Sequence, residues 1–414
     1  MKIFIKTSIK GLIVTLIASP ILMADEPVEE IVVKGKVLYS DQVSALKTPT
    51  DIVDVPQSLS IVTDEQIRKQ GIREIGDIVR YTPGVNTSQG EGHRDAVVFR
   101  GVRSTADFYQ DGARDDVQYY RSLYNVEQVE VLRGPNALLF GRGGTGGIIN
   151  RVTKKATLGE SFGSFDIGAN DNGSFDFAAD YNADSGENTA FRVNVHSDSL
   201  ENHRDFFDGD RVGFNPTVKI HMSDATTLDL SYEYADHERF IDRGIPTANG
   251  RPVEALKDVV FGTSDLNLTT LEADIFRGII TTDLSDTSKA IFSLTSSEFE
   301  KMYKNLYASG YDLTTNVVTL DGYYDPTERE NLIFSANLVN ELEIGGATHT
   351  LLIGAEIIDT DNKNVRYDTY WSTTQKDKES FNVSRPLNIA TNSSGVPTSV
   401  DYTTKLKSST TSDI

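Results

Sequence analysis

In TLDLSYEYA, residues 227–235, Leu228, Leu230, Tyr232 and Tyr234 fall on one side of the chain and Asp229, Ser231 and Glu233 on the other. A period of two places successive side chains on opposite faces of a strand. Phe191, Val193 and Val195 alternate with Arg192, Asn194 and His196 in the same way, and similar patterns return in residues 161–182, 210–222, 270–283, 288–300, 330–344 and 348–360. The connections alternate as well. Short turns at SDAT (223–226), SDTS (285–288) and GGAT (345–348) are interleaved with long segments near 237–267, 303–328 and 362–400. Short turns at one end and long loops at the other are the mark of a membrane barrel; a soluble β-sandwich does not predict that rhythm. The expected fold of residues 156–414 is therefore a transmembrane antiparallel β-barrel. Nine strands and the start of a tenth can be traced before the sequence ends in mid-pattern at TKLKSSTTSDI. An open sheet edge in lipid would leave backbone groups unpaired, so the chain is expected to be part of a longer one.

Residues 48–155 have a mixed α and β rhythm. VPQSLSIV reads as a strand, Thr63 and Gln66 form a capping box around TDEQIRKQ, and Gly71 is placed to stop that helix. Ile72, Ile75, Ile78 and Val79 recur at helical spacing until Pro83 and Gly84. DAVVFRGV, ADFYQDGA and EQVEVLRG read as short strands joined by Gly and Asp turns. The pattern predicts a separate α+β domain of ordinary size.

The first residues combine Lys2, Lys6 and Lys10 with the apolar run GLIVTLIA and a small Ala24, the signature of a signal peptide spanning 1–24. The apolar run is too short to span a bilayer as a helix. The formal net charge is −21 and becomes more negative when those lysines are removed, which argues against nucleic acid as a partner. With no cysteine in the chain, disulfides and thiolate metal sites are excluded. Stability in an oxidising compartment must then come from a hydrogen-bonded framework, and a closed barrel supplies one.

GPNALLFGRGGTGGIINRVTKK (134–155) holds Gly141, Gly143 and Gly146 at G-x-G-x-x-G spacing. A dinucleotide turn needs a strand before the glycines and a helix after them. Here the helix-like NALLF precedes them and a β-branched strand follows, so no helix N-terminus is available to face a phosphate. DFFDGD, with Asp205, Asp208 and Asp210, lacks the acid spacing of a calcium loop, and no histidine pair suggests a metal. No Ser-His-Asp or paired-carboxylate constellation can be placed either, so the reading is not that of an enzyme.

The run YQDGARDDVQYYRSLYNVEQVEVLRGPNALLFGRGGTGGIINRVTKK resembles the second half of the plug domain of TonB-dependent outer-membrane siderophore receptors, nearest to those for ferric catecholates. VPQSLSIVTDEQI and YTPGV resemble its first half in the same order, and EEIVVKGK resembles a TonB box with Glu30, Ile31, Val32, Val33 and Lys34 as its core. The resemblance implies residues 25–47 as box and linker, 48–155 as a plug inside the lumen, and a barrel of ~22 strands when complete. It also implies an outer-membrane location in a Gram-negative bacterium, a TonB-type inner-membrane partner and a ferric siderophore as transported ligand, with no resident cofactor. An extended β-branched box is suited to adding a strand to a partner's sheet edge. The short distance from Ala24 to the box leaves no room for a signalling domain, so the expectation is a transporter. Import of another scarce ligand, such as a cobalamin or a glycan, is the alternative within this fold.

Ferric catecholates are anionic and planar-ringed, so Arg charge and aromatic faces are the matching chemistry. The plug loop NTSQGEGHRD offers Gln89, His93 and Arg94, and ARDDVQYYRS offers Arg114, Gln118, Tyr119, Tyr120 and Arg121. From the barrel loops, Tyr303, Tyr307 and Trp371 are candidates, with Arg239, Phe240, Arg243, Tyr311, Tyr367 and Tyr370 as a wider lining. Arg100 and Arg133 are assigned to plug-barrel packing through ion pairs. Gly134, Gly141, Gly143, Gly144, Gly146 and Gly147 are assigned to tight turns and close backbone approach.

Overall fold

The computed structural model describes residues 57–88, 90–134, 146–384 and 389–413, together with Ser44, Lys47, Thr48, Ile52, Val55, Phe140, Gly144 and Leu387. The expected signal peptide, the box at 30–34, the residues 135–139, and Gln89, Gly141 and Gly143 lie outside the described residues.

The N-terminal region comprises β1 (Ser58–Thr63), α1 (Asp64–Gln70), α2 (Ile75–Arg80), β2 (Val85–Thr87), β3 (Val97–Phe99), β4 (Val102–Ser104), β5 (Phe108–Gln110), β6 (Ala113–Arg114), β7 (Val126–Arg133) and β8 (Gly147–Thr153). One sheet runs β1-β7-β8-β5-β6 and a smaller one β2-β3-β4. The capping box closes α1 as its sequence requires: Gln66 N donates to Thr63 Oγ1 at 3.4 Å and Thr63 N donates to Gln66 Oε1 at 3.2 Å. Gly71 then ends the helix at φ 61°. The apolar side of α2, with Ile75, Ile78 and Val79 fully buried, packs on Val97, Phe99, Val126, Val129, Val131 and Ile149. Each such side chain contributes roughly 2 kcal/mol of burial, enough for so small a domain to hold a core of its own.

The glycines serve this packing. A Cβ on Gly146 would lie 2.8 Å from Phe99 Cβ and 3.0 Å from Val102 Cβ, so the backbone at Gly146 can approach the small sheet only without a side chain there. Gly134, at φ 111°, ends β7 in a conformation that other residues avoid.

The remaining chain forms one antiparallel wall: β9 (Phe162–Ala169), β10 (Phe175–Asp184), β11 (Thr189–Ser199), β12 (Gly209–Ser223), β13 (Thr226–Phe240), a two-residue hairpin β14 (Thr247–Ala248) and β15 (Arg251–Pro252), then β16 (Leu268–Ser285), β17 (Ser288–Asp312), β18 (Val317–Ile344), β19 (Ala347–Trp371), β20 (Glu379–Asn382) and β21 (Val400–Asp413). Sequential strands pair along the wall, β14 and β15 pair only with each other, and β20 pairs with the outer end of β18.

Two of the segments expected to be loops are instead strand. Residues 303–312 and 317–328 continue β17 and β18 as a paired ladder, and 362–371 continue β19. Beyond the membrane both faces of a strand meet water or protein, so the alternation that reveals a strand disappears while its backbone pairing goes on.

The register layers the outer face of the wall. Gly278, Leu294, Phe334 and Ile357 stand side by side, the last three forming part of an exposed apolar band with Phe276, Phe292 and Leu332. Two rows further out the same face carries Asp274, Glu298, Glu330 and Asp361, and the next carries Glu272, Glu300, Glu328 and Lys363. Unsatisfied carboxylates are excluded from hydrocarbon, so the band ends near Ser296. The lumen-facing set of β13 does face the N-terminal domain: Gln110 Nε2 donates to Glu233 Oε2 at 2.7 Å.

Outside the band, the long segments build a small core of their own. Leu256, Phe261, Leu306, Leu320, Trp371 and Phe381 pack together, joining the 241–267 connection to the tips of β17, β18 and β19.

Candidate ligand site at the plug apex

The turn at 90–94 lies against the wall at the level of Tyr303. Its tightness comes from glycine: Gly90 and Gly92 stand at φ 62° and 78° around Glu91 at φ 57°. The His93 ring stacks on Tyr303, with centroids 3.7 Å apart and planes at 23°. Tyr303 Oη donates to Glu91 O at 3.0 Å. Arg94 NH2 lies 2.8 Å from Glu91 Oε2, and Arg94 NH1 donates to Gln118 Oε1 at 2.6 Å.

Arg243 completes the cluster from the connection just after β13. Its NH1 donates to Asn305 Oδ1 at 2.8 Å and to the hydroxyls of Tyr303 and Tyr323 at 3.3 and 3.4 Å. Its NH2 is 3.6 Å from Glu91 Oε1, and its guanidinium lies 4.3 Å from the centroid of Tyr307. Arg366 lies 4.0 Å over the Tyr323 ring and pairs with Asp325. The result is a largely enclosed patch in which guanidinium groups are stacked on phenol rings, the arrangement that binds a flat anion through both charge and face.

Burial pushes the plug-side His93 imidazole down to about 3, so the ring is neutral where it stacks. The Glu91 carboxyl, with His93, Arg94 and Arg243 around it, is held down at about 2.

Of the expected ligand residues, the structure thus brings together His93, Arg94, Gln118, Tyr303 and Tyr307. Others have different surroundings. Arg121 is fully buried: Nε donates to Asp115 Oδ2 at 2.8 Å, NH1 to Asp95 Oδ2 at 3.3 Å, and NH2 to Val117 O at 2.7 Å and Asp115 O at 2.8 Å. Its donors are committed to the plug interior, which corrects its expected ligand-facing role. Tyr119, also buried, donates its hydroxyl to Asp115 Oδ2 at 3.0 Å. Tyr120 lies under Arg239 at 4.3 Å, and Arg239 pairs with Glu74 at 3.3 Å, a contact between plug and wall. Arg114 pairs with Asp116 at 3.1 Å. Trp371 is fully buried against Phe381, with Nε1 donating to Asp377 O at 3.1 Å; it supports the outer core and does not line the patch. Tyr367 stacks on Tyr324, and Tyr311 donates to Asn316 Oδ1 at 2.6 Å.

Arg100 and Arg133 also need correction. Arg100 sits exposed at φ 47° in the turn between β3 and β4, and Arg133 donates to the plug carbonyl of Pro83 at 2.9 Å. Among the described residues, the ion pairs that join plug to wall run through other side chains: Asp111 to Arg277 at 2.6 Å, Asp116 to Arg329 at 2.6 Å, Lys154 to Asp180 at 3.2 Å, and Arg73 to Asp176. Glu91, Tyr323 and Arg366 were missed by the sequence reading. An acid between two glycines in QGEGHRD and the paired aromatics of DGYYDP were the available signals.

A globular α+β domain packed on the lumen face of an antiparallel wall, with an apolar band outside, defines the plug-and-barrel architecture of the outer membrane. The TonB-dependent Receptor Plug Domain matches residues 51–148. The probable TonB-dependent receptor BfrD of Bordetella pertussis is 30% identical over 248 residues, covering 58% of this chain and 32% of that protein. The catecholate siderophore receptor Fiu of Escherichia coli K12 is 30% identical over 227 residues, 51% of this chain and 28% of Fiu. The crystal structure of the siderophore receptor PiuA from Acinetobacter baumannii superposes with a TM-score of 0.79 at 22% identity, over 91% of this chain and 57% of PiuA. Residues 51–148 thus carry the plug domain of TonB-dependent receptors, and the chain is similar over about half its length to curated receptors of that kind from Gram-negative bacteria. It spans about a third of the length of the two curated relatives.

Proposed function

We propose that the protein is a TonB-energised outer-membrane transporter that captures a ferric siderophore of anionic, catecholate type and passes it to the periplasm by rearranging the plug. Residues 48–155 act as that plug and 156–414 as part of the barrel; 1–24 serve as the export signal and 25–47 as box and linker. The observation that carries the ligand class is Arg243 stacked on Tyr307 and bonded to Tyr303 and Tyr323 beside the plug apex. The transported iron arrives chelated, and the reading needs neither a resident cofactor nor a catalytic step. Relatives named for siderophores, Fiu and PiuA among them, support it.

The test is radio-iron uptake by iron-starved cells expressing the complete gene, with catecholate, hydroxamate and mixed chelates, with and without a proton uncoupler. Uncoupler-sensitive uptake of catecholates is the expected result. Correct insertion with no uptake from any iron chelate would move the ligand to a cobalamin or a glycan.

A further inference from the structure

Glu91 is an acid in a costly backbone position. At φ 57° and ψ 20° it lies in the left-handed region, which residues with a Cβ avoid. The turn has no slack to relax it. A Cβ on Gly92 would be 3.0 Å from Asp242 O and from Ile241 Cγ2, so the plug backbone is pressed onto the rim immediately before Arg243.

What the strained turn delivers is one carboxylate among cations. Arg94 is at 2.8 Å and Arg243 at 3.6 Å, one guanidinium from the plug and one from the wall. The group stays ionised, and about a third of its side chain, 32%, faces solvent, so another anion can reach the same place. Two guanidiniums left without an anion would be costly in so enclosed a site. An exchange of one anion for another keeps both satisfied.

We propose that Glu91 is a built-in stand-in for the ligand: it occupies the Arg94–Arg243 subsite until an anionic oxygen of the incoming iron chelate displaces it. Displacement removes the ionic tie between the 90–94 turn and Arg243, so occupancy of the outer patch is felt by the plug backbone. The same exchange selects by charge. A chelate without net negative charge has nothing to trade for the carboxylate. This inference rests on the siderophore reading above.

The test compares the complete receptor with its Glu91→Gln and Asp265→Asn variants, the latter removing one exposed acid from the 241–267 connection as a control. Equilibrium binding of an anionic iron tris-catecholate and a neutral iron tris-hydroxamate is measured in detergent, with heat-modifiable gel mobility confirming folding. Glu91→Gln should bind the tris-catecholate about tenfold more tightly, as expected when a competing internal anion is neutralised, and the tris-hydroxamate unchanged. Asp265→Asn should change neither. Tris-catecholate binding by the parent that is not strengthened in Glu91→Gln, or strengthening equal to that in Asp265→Asn, would overturn the stand-in while leaving the siderophore reading intact. A parent receptor that binds neither chelate would sink both.

Discussion

His93 and Tyr303 meet ring on ring across the boundary between plug and wall, 3.7 Å between centroids, although 210 positions separate them in sequence. Burial keeps the imidazole uncharged at this contact.

That neutrality gives a pH dependence. The folded-state value of about 3 lies below the ordinary 6.5, so the unfolded chain takes up the proton first. The stabilisation is fully present above pH 6.5 and is lost as pH falls toward 3. Amide exchange across residues 90–94 should accelerate between pH 7 and pH 4.5, after correction for intrinsic rates, by an opening free energy of up to about 2 kcal/mol. His93→Gln should lack this acid-dependent part; an equal acid response in that variant would contradict the assignment.

Arg121 neutralises two buried carboxylates, Asp95 and Asp115. Arg121→Leu should destabilise the plug by about 3–5 kcal/mol because Asp95 loses its cation in a dry interior and Asp115 is left with Arg151 alone. The measurement is limited proteolysis of the purified receptor, in which plug cleavage should appear while the barrel band persists.

Asp111 and Arg277 pair at 2.6 Å with little solvent at either side chain, and Asp111 also accepts from Thr153 N and Oγ1 at 2.9 and 2.7 Å. A double-mutant cycle with Asp111→Asn and Arg277→Gln should give a coupling energy on the order of 2 kcal/mol in plug release by urea. Additive effects would assign the pair no role in holding the plug.

Gly146→Ala should cost about 1–3 kcal/mol of plug stability, since the new methyl meets Phe99 Cβ at 2.8 Å. A thermal melt monitored by circular dichroism, with Gly159→Ala compared for scale, would show the difference; no atom stands within 4 Å of a Cβ at Gly159, so that variant bears only its backbone strain.

Lipid-facing substitutions should follow the layering of the wall. Phe334→Lys, in the same row as Leu294 and Ile357, should reduce folding into bilayers by about 2–4 kcal/mol, whereas Glu330→Lys, in the acidic row, should be tolerated. Refolding yield into vesicles distinguishes them.

Where one face of an element is apolar and the other polar, the sequence was readable. Leu228, Leu230 and Tyr232 against Asp229, Ser231 and Glu233 revealed β13, and Thr63 with Gln66 and Gly71 revealed α1. The outer halves of β17 to β19 were not readable, because Tyr303–Asp312 and the residues opposite carry no two-sided contrast. Site residues divided on the same grounds. Arg and Tyr in a loop sequence look alike whether they face ligand or core, so His93 and Arg121, 28 positions apart, could be separated only by the folded chain: one reaches the wall and the other bonds inward. Glu91 was passed over because an acid does not announce itself as part of a site for anions.

The row Asp274, Glu298, Glu330 and Asp361 sets more than the upper limit of the apolar band. On β17 the arginine–tyrosine patch begins at Tyr303, five residues beyond Glu298. At a rise of ~3.3 Å per residue and a tilt of ~45°, this is about 12 Å of height. The ionic screening length in physiological salt is about 8 Å. The nearer row at Glu300 lies only about 7 Å below Tyr303, but both acidic rows stand on the outer face of the wall whereas Tyr303 meets the plug, so the sheet itself stands between these carboxylates and an anion descending toward Arg243.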